Sequence, residues 1–62
     1  MSVGAELTAV SSTLEELTRR VTRILAELSP ADEDRYGPDL LEVERNLGAA
    51  HRRMERLVAP RR

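Results

Sequence analysis

Eight apolar residues near the start of the chain, Val3, Leu7, Val10, Leu14, Leu17, Val21, Ile24 and Leu28, follow one another at intervals of four and three in strict alternation. A mean spacing of 3.5 residues puts all eight on one stripe of an α-helix, whereas a strand with its two-residue period would scatter them over both faces. Ordinary amphipathic helices rarely hold the alternation for almost four heptads, so the segment reads as a helix whose seam is covered by another helix. Leu7, Leu14, Val21 and Leu28 take the a positions of the heptad, and Val3, Val10, Leu17 and Ile24 the d positions. A continuous helix through the stripe would measure roughly 40 Å at 1.5 Å per residue.

Ser2 is placed to cap such a helix over its whole length. Ser12 or Thr13, each followed three residues later by Glu15 or Glu16, could instead open a shorter one with a capping box. The unbroken stripe favours the long version. Gly4 and the Ser11-Ser12-Thr13 cluster are its weakest stretch, because glycine and hydroxyl residues have poor helix propensity and competing local hydrogen bonds.

Pro30 limits the first helix near Ser29, and residues 29 to 38 read as the connection. Within it Ser29, Pro30 and Asp32 also match a cap, a first-turn proline and a first-turn acid, which allows a short helical turn inside the loop. Tyr36, the sole aromatic, is expected to plug the open end of the helical pair, with contact to a partner as its alternative role. A second helix is expected from Pro38, with Asp39 and Glu42 near its positive end and Pro60 closing it. Its stripe, Leu40, Val43, Leu47, Ala50, Met54 and Leu57, again alternates threes and fours. The chain is thus expected to form a single all-α domain over residues 1–62, an antiparallel helical hairpin with helices at about 2–29 and 38–59.

A hairpin of this size buries little. At 62 residues a single chain has a thin core, and the absence of cysteine removes disulfides and thiolate metal sites as staples. Leu25 beside the first seam, and Leu41, Val58, Gly48 and Ala49 beside the second, make the stripes wider than one partner helix covers. The first helix also outruns the second by roughly a heptad under these boundaries, leaving Val3 to Val10 uncovered. A homodimeric four-helix bundle or coiled coil is the expected assembly; capture by a larger protein is the competitor.

Candidate chemistry is sparse. His51 stands four residues before Glu55, a spacing that brings both side chains onto one helical face and suits a boundary histidine with a local polar contact. A di-iron bundle needs several inward Glu and an E-x-x-H arrangement; the seams carry Leu, Val, Ile, Ala and Met, and E-x-x-H does not occur. Ser11, Ser12, Thr13 and Ser29 lack a nucleophile context, and Gly4, Gly37 and Gly48 are isolated rather than clustered in a phosphate loop. No catalytic residue, metal or cofactor is expected. Apolar runs are too short to span a bilayer, and the first residues lack both the basic start and the apolar core of an export signal, which gives a cytoplasmic location and no membrane partner as the default expectation.

Charge is segregated along the chain. Residues 1–34 hold seven acids and three Arg, and residues 35–62 four acids and seven Arg, so the halves carry −4 and +3. The i,i+4 pairs Glu15 with Arg19 and Glu16 with Arg20 suit the first helix, while Glu6, Arg20 and Glu27 flank its seam where they can select register. In the antiparallel register Leu40 opposes Ile24 and Leu28, Met54 and Leu57 approach Val10 and Leu14, and Arg53 or Arg56 reaches Glu6 and the Glu15-Glu16 pair. Ala49 and Ala50 are expected at the closest helix approach. Arg52, Arg53, Arg56, Arg61 and Arg62, with Tyr36 and His51, are the candidate contacts for a partner or for phosphate. The chain as a whole is slightly acidic, and no Lys, Asn or Gln accompanies the Arg cluster, so the leading expectation is a non-enzymatic protein-interaction module that pairs with itself or a larger protein; a nucleic-acid-associated helical dimer is the alternative.

Overall fold

Ser2 sets the start of the first helix. Its Oγ accepts a hydrogen bond from the Ala5 amide at 3.3 Å and its carbonyl accepts one from the Glu6 amide at 3.1 Å, so two first-turn donors have partners. The helix that follows, α1, runs unbroken over Val3–Ala26 in the computed structural model, which describes residues 2–59. The hydroxyl-rich stretch does not break it: Ser11 turns across to α2 and Thr13 bonds within the helix, as do the threonines on either side. Thr8, Thr13 and Thr18 donate to the carbonyls of Gly4, Ala9 and Leu14 at 3.0, 3.1 and 2.8 Å.

The connection is shorter than the expected loop of residues 29–38. Glu27 ends α1, its amide donating to the Ile24 carbonyl at 3.1 Å, and the second helix, α2, begins at Pro30 and continues through Val58. Ser29 is its cap: Oγ accepts from the Asp32 amide at 3.2 Å, and the Ser29 carbonyl from the Glu33 amide at 2.8 Å. The cap, proline and acid that allowed one helical turn in the loop instead nucleate the whole helix. Pro38 is therefore an interior residue and not a first helical position.

Two features accommodate it. Proline leaves the Asp34 carbonyl without its usual amide partner, a loss that solvent can offset at an exposed residue such as Asp34. Proline also crowds the Cβ of the residue before it, and that residue is Gly37, which has none. Gly37 is buried besides, and a Cβ there would lie 3.1 Å from Glu33 Cγ. Replacing Ser29 by alanine removes the cap that launches α2 and should lower stability by about 1 kcal/mol, read as a drop in the thermal midpoint of helicity.

The two helices pack antiparallel in a hairpin of 47 × 19 × 14 Å. Two cross-helix hydrogen bonds set the register: Ser11 Oγ donates to Glu55 Oε2 at 2.9 Å, and Thr22 Oγ1 donates to Glu44 Oε2. From the first to the second, α1 advances by the same number of residues that α2 retreats, so the pairing holds along the whole contact. Met54 is accordingly level with the stretch between Val10 and Leu14, and Leu40 with that between Ile24 and Leu28. Extended the other way, Val58 is level with Thr8. With α2 starting at Pro30 it is the longer helix, 29 residues against 24, and the overhang of α1 shrinks to the turn from Val3 to Leu7.

Candidate interaction surface

The seam between the helices is not the stripe of a and d positions. On α1 it is formed by Leu7, Ser11, Leu14, Thr18, Val21, Leu25 and Leu28, and on α2 by Gly37, Leu40, Glu44, Leu47, His51, Met54 and Val58; each is buried or half-buried. The a residues and Leu40, Leu47 and Met54 stand in it as expected. The other half of each expected stripe does not: Val10, Leu17 and Ile24 on α1, and Val43, Ala50 and Leu57 on α2, lie exposed, the large ones from 37% at Leu17 to 62% at Leu57. Ala49 is exposed as well, so neither it nor Ala50 marks the closest approach within the hairpin.

Side-chain size explains the rotation. Rows containing Ser11, Thr18 and Gly37 let two backbones come together, and the hydroxyls do so without an unmet hydrogen bond, since Ser11 has Glu55 and Thr18 has the Leu14 carbonyl. Ser11 is 4% exposed, the buried polar residue among the described residues. Ser11→Ala should destabilise the hairpin by about 1 kcal/mol, because the loss of a hydrogen bond to a charged acceptor is moderated by the partial exposure of Glu55. Chemical denaturation at constant protein concentration would measure it.

The exposed rows are on one side of the molecule. Val10, Leu17 and Ile24 each precede a seam residue, Ser11, Thr18 or Leu25, by one position. Tyr36, Val43, Ala50 and Leu57 likewise precede Gly37, Glu44, His51 and Val58. One step back is a rotation of about 100° in the same helical sense, and because the helices run in opposite directions it turns both rows to the same side of the plane through their axes. Residues that follow the central row by one, Thr22 on α1 and Leu41, Gly48 and Glu55 on α2, turn to the other side, which carries both cross-helix hydrogen bonds. The hairpin thus has one polar-bonded side and one continuous apolar side.

That apolar side is the candidate site. No hydrophobic side chain of the described residues is fully buried, and Val10, Leu17, Ile24, Val43 and Leu57 form a row pair along the hairpin, with Val3, 71% exposed, at its open end. Tyr36 belongs to α2 rather than to a loop. It is 45% exposed at the loop end of the same face, with the Arg35 guanidinium 5.2 Å from the ring centroid. A concavity on the opposite side, at the loop end, is lined by Leu25, Glu33, Asp34, Pro38 and Leu41.

The remaining candidate residues do not converge on chemistry. His51 is half-buried in the seam, and the Glu55 carboxylate four residues on is engaged by Ser11. Arg52, Arg53 and Arg56 are exposed on the outer surface of α2, while Arg61 and Arg62, like Pro60, lie outside the described residues. Among the described residues the ion pairs are Glu15 with Arg19 at 3.6 Å and Glu42 with Arg45 at 3.1 Å, each within one helix. Glu16 does not pair with Arg20; neither Arg53 nor Arg56 meets Glu6 or Glu16, because these charges sit on opposite outer edges of the hairpin, nor Glu15, which bonds Arg19. Among the described residues no three His, Asp or Glu are grouped to hold a metal ion, and no helix is long and apolar enough to cross a membrane. Comparison of the chain with protein families, curated proteins and solved structures finds no match.

Proposed function

We propose that this chain is a non-enzymatic protein-interaction module, a small adaptor or regulatory subunit that acts by burying its apolar side against a second helical surface. The observation that carries the reading is the unpartnered row pair from Val10 to Ile24 and from Val43 to Leu57, set on a hairpin with no fully buried hydrophobic side chain. A two-helix unit this thin gains most of its stability from whatever covers that side. Association into a four-helix bundle of two chains covers it fully, and docking on a larger helical protein covers it equally well. Sedimentation equilibrium over a range of concentrations tests self-association, the expected result being a dimer. A folded monomer at high micromolar concentration would refute the homodimer, and capture of one dominant partner from the native host would then identify the larger protein.

A second reading has one observation in its favour. The Glu55 carboxylate, which in sequence interrupts the Arg52-Arg53-Arg56 cluster, is turned to Ser11 and leaves the three guanidinium groups as an exposed basic patch. Phosphate contact through that patch would weaken steeply between about 50 and 150 mM salt, with a shallower slope after Arg52→Ala or Arg56→Ala. Fluorescence anisotropy with short duplex and single-stranded probes separates the two readings, and no binding at the lower salt removes the second.

A further inference from the structure

We infer that the occupant of the apolar side is a second copy of this chain, placed head to head, with both interhelical connections at the same end of the bundle and α1 of each chain against α2 of its partner. The inference rests on the interaction-module reading and adds the identity and orientation of the partner. What points to it is the charge along the two outer edges of the apolar side.

Those edges are formed by the residues one position before the apolar rows and one position before the central row of Leu7 to Leu28 and Leu40 to Met54. On α1 the charged members in order are Glu6, Glu16, Arg20, Arg23 and Glu27; on α2, read from its C-terminal end, those within a turn of a charge of α1 are Arg56, Arg53, Glu42, Asp39 and Arg35, with Asp32 further on, level with no charge of α1. All are exposed. The signs run minus, minus, plus, plus, minus along the first edge and plus, plus, minus, minus, plus along the second. Within one hairpin the edges point away from each other and cannot meet, as the absence of any ion pair between them confirms among the described residues.

A second chain rotated by half a turn about an axis parallel to the helices brings α1 of one chain over α2 of the other. The register fixed by the Ser11 to Glu55 and Thr22 to Glu44 bonds then sets the heights, and every charge finds its opposite within about one helical turn: Glu6 near Arg56, Glu16 near Arg53, Arg20 and Arg23 near Glu42, and Glu27 near Arg35. One like pair, Glu27 level with Asp39, has Arg23 and Arg35 a turn to either side. The competing dimer, with connections at opposite ends, lays each edge on its own reverse. In the register that sets Arg20 toward Arg20 on α1, it sets Arg56 toward Arg35 on α2 and Glu16 within a turn of Glu27, alongside the opposite pairs Glu16 with Arg23 and Asp39 with Arg53, so like and opposite pairs mix along each edge. Rim charges contribute little affinity but select among alternative registers of the same apolar surface.

The absence of cysteine gives a direct test. A spin label on Ala31→Cys, an exposed position beside the connection, reports whether the two connections share an end. Head-to-head association gives an inter-label distance of roughly 20 to 30 Å, set by two helix spacings and the label arms. A distance approaching the 47 Å length of the hairpin would overturn the orientation while leaving self-association standing. A labelled chain that sediments as a monomer, with no dipolar signal, would overturn the second copy as occupant. Charge reversal checks the edge pairing independently: Glu16→Arg alone should weaken the dimer about tenfold at low salt, since a two-fold interface carries the change twice, and adding Arg53→Glu should restore it. A double variant no tighter than the single one would reject the pairing.

Discussion

Leu17→Asp should sediment as a monomer at concentrations where the parent chain is dimeric, and its helicity should be lost together with the assembly. Leu17 is the least exposed of the large hydrophobic residues on the apolar side and stands near the middle of the row, level with the stretch around Ala50. An ionised carboxylate there would be enclosed in the interface with no positive charge predicted to meet it, a cost of about 3 to 5 kcal/mol or more for each copy. Two copies per dimer raise the dissociation constant by well over a hundredfold. Helicity follows because folding and association are coupled when the single chain has so little buried apolar surface. Leu41→Asp is the matched control: Leu41 is 53% exposed but turns to the opposite side, so the dimer should survive the change. A Leu17→Asp chain with full thermal stability and unaltered association would show that the wrong side had been assigned.

The helical class was legible in the heptad spacing, and the two-helix count and the antiparallel pairing in the proline-bounded connection, which is too short to return the chain for a parallel partner. The direction in which each helix faces its neighbour was not. A helix placed to meet two neighbours shares its a row between them and uses one flanking row for each, the arrangement proposed for Leu14 and Val21. The apolar d row was the conspicuous one, and it was natural to give it to the nearer helix. The hairpin instead takes the row of Ser11, Thr18 and Leu25, whose small hydroxyl side chains find partners in Glu55 and the Leu14 carbonyl. Leu25 beside the first seam, and Val58 beside the second, were the sequence signal for this second row. Pro38 misled for a local reason. A proline preceded by glycine escapes the clash that normally keeps the preceding residue out of a helix, so the Gly37-Pro38 pair reads as a boundary in sequence yet sits inside α2.

Leu47→Ala should be the most destabilising truncation of a single leucine in α2, and its effect should differ in kind from that of Leu17→Asp. Leu47 belongs to the central row, half-buried against α1 within its own chain and facing the edge of the apolar side from which a second chain would complete its burial. Truncation removes transfer energy from the contact with α1, and from a second chain where one is seated, and leaves a cavity that the flanking rows cannot close, since Gly48 has no side chain and Ala50, three positions on, has only a methyl. The loss should come to about 2 to 4 kcal/mol per chain, toward the upper end if the second copy is seated as inferred and toward the lower end if the side remains open. Thermal unfolding followed across a hundredfold range of concentration separates the two cases. A coupled dimer shows a midpoint that rises with concentration in parent and variant alike, the variant displaced downward by a similar amount throughout. A midpoint independent of concentration in the parent would mean that the hairpin folds alone, and a Leu47→Ala loss below about 1 kcal/mol would place the interhelical seam elsewhere.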